Sequence, residues 1–263
     1  MYKQYTSKEA DNPDFWSKHW ANQDILEQMK SAKNSELIHL FKKYLPKKGV
    51  ILEAGCGQGI FVNALKELGY QIEGIDFDKE TVKQINGKFP NLKITVGDIF
   101  NLNYPENNFS GYISLGAIEH YENDWEKPIG QSRRILEDGG ILFLSVPYFN
   151  YVKRLINPIK DLFKKSDGKF YQYLFKSKEI IQAVKSERFK IISVDFYGKS
   201  KTLMELPLLG RMFKSQYRKI KSAINEKNDK KNNDSLGTFI KKLIFGILPN
   251  KWFAHMVVVI AKK

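Results

Sequence analysis

The chain has 263 residues, 42% hydrophobic and 13% aromatic, which is enough to bury the core of one ordinary domain and excludes disorder over most of its length. Its single cysteine, Cys56, excludes an internal disulfide and a multi-cysteine metal site, so no metal is expected. The opening residues lack an apolar run beside their basic residues, and the longest apolar stretch, Met256 to Ala261, is too short to span a bilayer, so a cytoplasmic location is expected.

The net charge of +14 is unevenly spread. Residues 1–150 carry 17 Lys and Arg against 20 Asp and Glu, whereas residues 151–263 carry 26 against 9. If the first part binds a cofactor and the second shapes the substrate side, the partner is anionic: phosphate-bearing, nucleic acid or a membrane surface. The plainer alternative is a solvated lysine-rich surface.

The apolar positions of Glu36 to Leu45 recur at helical spacing and end at Pro46, which predicts a helix before the first strand. Strand and helix patterns then alternate. Val50 to Ala54 reads as a strand, Ile60 to Leu68 as a helix, Gln71 to Ile75 as a strand and Lys79 to Lys88 as a helix. Leu92 to Val96, Gly111 to Leu115 and Ile141 to Val146 continue the strands, with a helix from about Trp125 to Leu136 closed by an Asp138-Gly139-Gly140 turn. Short β-branched runs separated by helices imply right-handed crossovers and a parallel, doubly wound α/β sheet.

Beyond the sheet, Ser177 to Lys185 reads as a helix, Phe189 to Tyr197 as a strand and Phe253 to Ile260 as the last strand. The segment between these two strands is too long for a hairpin, which predicts a helical insertion or lid. It holds two basic amphipathic patterns, Leu208 to Ile224 and Leu236 to Leu248, around a polar linker. A third basic amphipathic stretch includes Tyr151, Leu155, Ile156 and Ile159, flanked by Lys153, Arg154 and Lys160. These stretches suit either a lid packed on the sheet edge or a surface resting on anionic lipid.

The most informative residues run from Glu53 through Ala54, Gly55, Cys56, Gly57 and Gln58 to Gly59, after an apolar run and before a helix. Glycines there let the chain turn sharply and bring backbone N–H groups against a ligand. Asp76 stands at the end of the next strand, where a carboxylate accepts hydrogen bonds from both ribose hydroxyls of an adenosine. A Gly-x-Gly-x-x-Gly nicotinamide fingerprint is absent, since Ile60 and Val62 occupy the third-glycine positions.

The loop resembles motif I of class I S-adenosylmethionine-dependent methyltransferases, Glu/Asp-x-Gly-x-Gly-x-Gly. Gly74-Ile75-Asp76-Phe77-Asp78 is similar to the family's acidic second motif and Val96-Gly97-Asp98-Ile99 to its third. Phe109 to His120 resembles the fourth-strand motif, and Gly139 to Leu142 the turn into strand five. The resemblance runs from about Val50 to Pro147. It implies a Rossmann-like seven-stranded sheet whose last strand inserts antiparallel, with a helical insertion between strands six and seven. S-adenosyl-L-methionine is the implied cofactor, held by Glu53, Gly55, Cys56, Gly57, Gly59, Asp76, Phe77, Asp98, Ile99, Leu115 and Gly116, with Asp98 at the adenine amino group and Ile99 on the ring.

The expected organisation is a single domain, 1–263. Within it lie a cofactor-covering segment (1–34), a cofactor-binding core (35–148), a basic amphipathic segment (149–176), a C-terminal core (177–197 and 252–263) and the basic insertion (198–251). Methyl transfer from a sulfonium needs positioning more than acid–base chemistry. For an oxygen acceptor a base helps, and His120, past strand four, is the candidate, with a cofactor-lining role as its alternative. Glu119, Tyr121, Tyr148 and the helical-turn pair Trp16 and Trp20 are substrate-pocket candidates. The expected acceptor is a small molecule, glycan or lipid-linked intermediate at an inner membrane face, with RNA as the alternative. Two readings from other classes are a nicotinamide-dependent oxidoreductase and a non-catalytic cofactor-binding protein.

Overall fold

A computed structural model describes residues 1–6, 13–21, 23–162, 168–205 and 249–263. The sheet strands are β2 (Val50–Ala54), β3 (Gln71–Asp76), β4 (Ile94–Val96), β5 (Phe109–Leu115), β6 (Leu136–Pro147), β8 (Lys190–Tyr197) and β9 (Met256–Lys262), in the spatial order β4-β3-β2-β5-β6-β9-β8. The β2/β3, β2/β5, β3/β4 and β5/β6 pairs are parallel. Helices α4 (Ile60–Glu67) and α5 (Lys79–Lys88) make two of the crossovers that such pairs require. Near-continuous apolar runs are what a sheet covered on both faces demands, and Val257 to Ala261 are fully buried accordingly.

The last strand runs antiparallel to β6, as the resemblance implies. The Gly139 N–H donates to the Lys263 carbonyl at 3.3 Å and the Lys263 N–H to that of Gly140 at 3.0 Å, joining the start of one strand to the end of the other. The Asp138-Gly139-Gly140 turn proves to lie inside β6. Phe109 pairs with Leu136 while Gly111 pairs with Ile141, and the extra residues are taken up where Gly139 adopts φ +84°. The last strand begins at Met256 because Asn250–Phe253 forms a helical turn ahead of it.

Helices α1 (Pro13–Ala21), α2 (Ile25–Lys33) and α3 (Glu36–Tyr44) precede the sheet; α3 buries Leu37, Ile38 and Phe41 at the expected spacing. Sequence periodicity missed a ribbon in which β1 (Tyr2–Thr6) pairs antiparallel with β7 (Lys169–Leu174). Helix α6 (Lys127–Ile135) leads into β6, α7 (Tyr151–Leu162) carries the third basic amphipathic stretch, α8 spans Ser177–Ser186, and α9 (Lys199–Glu205) opens the insertion. The two amphipathic patterns at 208–224 and 236–248 lie outside the described residues.

The chain forms two compact units. One comprises Met1–Pro147, Lys165–Asp195 and Val257–Lys263; the other comprises Tyr148–Lys164 and Phe196–Met256. Among the described residues no helix is long and apolar enough to cross a membrane. Because Ile260 is fully buried, Ile260→Ala is expected to destabilise the protein by about 2 to 5 kcal/mol in urea unfolding, the range for a cavity of that size. A loss below about 1 kcal/mol would show that β9 is not an integral part of the core.

Candidate cofactor and active site

The site is built where β2 and β3 end side by side. The N–H groups of Gly55 and Cys56 both donate to the Ile75 carbonyl at 2.9 Å, which folds the glycine loop back over the end of β3. Gly55, Gly57 and Gly59 have φ of +74°, +51° and +64°, a region costly to residues with a Cβ. Space reinforces the constraint: a Cβ on Gly57 would stand 2.9 Å from the Trp20 ring, and one on Gly59 2.3 Å from Ile94 Cδ1.

Asp76, 6% exposed, holds this turn from below. Its Oδ2 accepts from the Gly57 N–H at 2.7 Å and its Oδ1 from the Asp78 N–H at 3.0 Å. Burial raises its pKa, while these amide donors oppose the rise. The Phe77 amide also favours the charged form, and a carboxylate offers about four acceptor sites, so the loop contacts leave capacity for a hydroxyl donor. Asp78 caps α5 by accepting from Glu80 N–H at 3.2 Å and also accepts from Ser17 Oγ at 2.8 Å, which ties α1 to the same corner. Gln58 Nε2 donates to the Trp20 carbonyl at 3.1 Å and adds a second tie.

The resulting pocket, within the first unit, is lined by Gly55, Gly57, Asp76, Phe77, Ile99 and Gly116 among the expected cofactor residues. Trp16, Trp20, His120 and Tyr121 line it too, together with Gly97 and Ala117. The last two were not anticipated. The signal available for Gly97 was its place beside Asp98: a Cβ there would lie 3.1 Å from Ile75 Cβ, so the chain passes close over β3.

Five expected cofactor residues stand outside this lining. Glu53 is 3% exposed beneath the loop, where burial lifts its pKa to about 8 against the Val62 amide, and its Oε2 has no hydrogen-bond partner among the described residues. It supports the loop from the interior. Cys56 is buried and burial pushes its thiol well above the usual range, so it is an inert packing group. Gly59 serves as the left-handed residue before α4. Asp98 is exposed and accepts from the Phe100 N–H at 2.9 Å, leaving Ile99 to face the pocket; Leu115 stops one residue short of it. Of the substrate candidates, Glu119 is buried at 2% behind the lining. Tyr148 belongs to the second unit, where it packs against Phe196 with ring centroids 4.9 Å apart, and does not line the pocket.

His120 follows β5 in a 3₁₀ turn, Ile118–His120. Its Nδ1 lies 2.8 Å from the Tyr171 carbonyl of β7. A carbonyl only accepts, so Nδ1 carries the proton and Nε2 keeps a lone pair. The ring meets Trp16 edge-on at 4.8 Å and Tyr171 at 5.2 Å, and Nε2 is 3.9 Å from Glu119 Oε1. Burial holds its pKa down to about 4, outweighing the Tyr171 carbonyl, which favours the charged form, while His19 adds to the lowering. His120 is therefore neutral near pH 7.

This has a measurable consequence. Between pH 6.5 and 4 the unfolded chain takes up a proton that folded His120 refuses, so stability is lost as the pH falls through that window, by up to about 3 kcal/mol. Urea unfolding of the wild type and His120→Gln at several pH values should give a shallower acid slope in the variant; equal slopes would contradict the buried neutral imidazole.

A family model described as a methyltransferase domain matches residues 52–144. A probable S-adenosylmethionine-dependent methyltransferase of Mycolicibacterium smegmatis is 27% identical over 99 residues, 37% of this chain and 37% of that protein. The tRNA (carboxymethyluridine(34)-5-O)-methyltransferase of Arabidopsis thaliana is 32% identical over 108 residues, 40% of this chain and 26% of that one. The match thus spans little more than a third of the first relative's length. An S-adenosylmethionine-dependent methyltransferase structure from Archaeoglobus fulgidus aligns with a TM-score of 0.60, covering 96% of this chain and 100% of its own at 15% identity, a likeness of fold. Residues 52–144, which hold the left-handed glycine loop and the carboxylate at the end of the next strand, thus match a methyltransferase domain, and the relatives together with the likeness of fold support a class I S-adenosylmethionine-dependent methyltransferase.

Proposed function

We propose that the protein transfers a methyl group from S-adenosylmethionine to an oxygen of a small-molecule, glycan or lipid-linked acceptor. The observation that carries this reading is His120, a neutral imidazole with its proton fixed on Nδ1, in the wall of the pocket that Asp76, Ile99 and the glycine loop also line. The residues fit the cofactor: Asp76 has lone pairs for the ribose hydroxyls, Ile99 offers an apolar face to adenine, and the loop glycines expose their backbone. The cofactor supplies a methyl group on an already activated sulfonium.

His120 Nε2 accepts a hydrogen bond from the acceptor O–H and orients it. A base whose conjugate acid has a pKa of about 4 does not ionise an alcohol in advance. It receives the proton as the new C–O bond makes that oxygen strongly acidic. Trp16, Trp20 and Tyr121 shield the reacting atoms from water. A second reading, an RNA acceptor, draws on the basic second half of the chain and on the tRNA-modifying relative.

Calorimetry of the wild type and Asp76→Ala with S-adenosylhomocysteine, with NADH as control, is expected to give micromolar binding of the first ligand alone, weakened at least about tenfold by the substitution. Preference for NADH would overturn the reading. With methyl-labelled cofactor, label should enter the lipid and glycan fraction of a cell extract. Transfer to total RNA instead would favour the second reading. His120→Asn is expected to lower turnover about a hundredfold with little change in cofactor affinity; unchanged turnover would remove its role as base.

A further inference from the structure

In the second unit the burial of α7 runs opposite to the ordinary rule for a surface helix. Its inward face holds Lys153 at 7% exposure and Asn157 at 8%, one helical turn apart. Lys153 N–H donates to Asn150 Oδ1 at 2.8 Å, and its Nζ lies 3.0 Å from His255 Nδ1. Asn150 Nδ2 in turn donates to the Ala254 carbonyl at 2.7 Å. The outward face is apolar: Tyr151, Leu155 and Ile159 step by four and are 42%, 68% and 58% exposed. Trp252, 48% exposed, extends the stripe, its ring centroid 5.5 Å from that of Tyr151. Four large apolar side chains on one outward face, above a polar inward face, mark a surface made for an apolar partner.

Charge identifies the partner. The sequence of this unit, Tyr148–Lys164 and Phe196–Met256, contains 17 Lys and Arg against 5 Asp and Glu, while the rest of the chain has 26 against 24. The excess charge of the sequence thus belongs largely to the segments assigned to the unit that bears the stripe. The Arg154 guanidinium stands 4.9 Å from the Tyr151 ring, and exposed Lys251 adjoins Trp252 in the chain. A second copy is disfavoured, because two such units would bring like charges together. Nucleic acid would satisfy the lysines and leave Leu155 and Ile159 in water. A bilayer surface with acidic headgroups satisfies both, with leucine and isoleucine in the acyl boundary, tyrosine and tryptophan at the interface and the cations on phosphate.

We infer that the Tyr151–Leu155–Ile159–Trp252 face docks on an anionic membrane surface. The inference is independent of the proposed acceptor. Flotation of the full chain with phosphatidylglycerol-containing vesicles is expected to show binding at low salt that is absent on pure phosphatidylcholine and weakened by salt. Leu155→Glu with Ile159→Glu should reduce it at least about tenfold, and because both positions are exposed, S-adenosylhomocysteine binding and the thermal transition should stay unchanged. A blue shift of tryptophan emission on vesicles, lost in Trp252→Phe, gives a readout that does not depend on the double variant folding. Absence of binding to anionic vesicles, equal binding by a folded double variant, or a concentration-dependent dimer abolished by the same substitutions would each overturn the proposal.

Discussion

The carbonyl of Ile75 and the carboxylate of Asp76, consecutive acceptors at the end of β3, hold the glycine-loop wall of the site in place. Between them they take the N–H groups of Gly55, Cys56 and Gly57, three successive donors of a loop that has no regular ladder to satisfy them. Burying such donors unpaired would cost on the order of 1 to 3 kcal/mol each, so the glycine loop exists in this shape only because β3 ends where it does. The parallel register sets that end, with Ala54 opposite Ile75. A ligand meeting the loop therefore meets a backbone already turned and a carboxylate already aimed.

The other wall depends on a different brace. The β1/β7 ribbon is fastened to the turn after β5 by His120 Nδ1 on the Tyr171 carbonyl and by Tyr173 Oη on that of Glu122 at 2.9 Å, with Lys3 pairing to Glu122 at 2.8 Å. The exposed Lys3–Glu122 pair contributes little by itself. The buried imidazole contributes more, since it fixes both a ring orientation and a tautomer. The His120 hydrogen bond thus helps to attach the ribbon and also sets which nitrogen of His120 is basic.

The second unit reverses the usual economy of a helix. The amide and ammonium of Lys153 meet Asn150 and His255 on the inside, while Tyr151, Leu155 and Ile159 remain outside. Sequence periodicity detects an amphipathic helix in such a stretch without telling which face is inward, because the pattern is the same read from either side. Buried Lys153 beside His255, whose pKa burial and Lys153 lower to about 2, decides the orientation here.

The sequence by itself determined the alternation of strands and helices, the glycine loop and the carboxylate of Asp76, because backbone conformation at a glycine and strand periodicity are local properties. Trp16, Trp20 and His120, singled out from helical spacing and a strand end, line the pocket beside that loop, since both signals are local as well. Tertiary structure decided what depends on residues far apart in the chain. Glu53 and Asp98 fit the motif pattern yet stand outside the pocket lining, one under the loop and one toward solvent. Tyr148 follows β6 directly, but packs on Phe196 in the other unit. The β1/β7 ribbon joins residues about 170 positions apart, and no local pattern encodes a partner at that distance, because strand pairing is chosen by the closure of the surrounding fold.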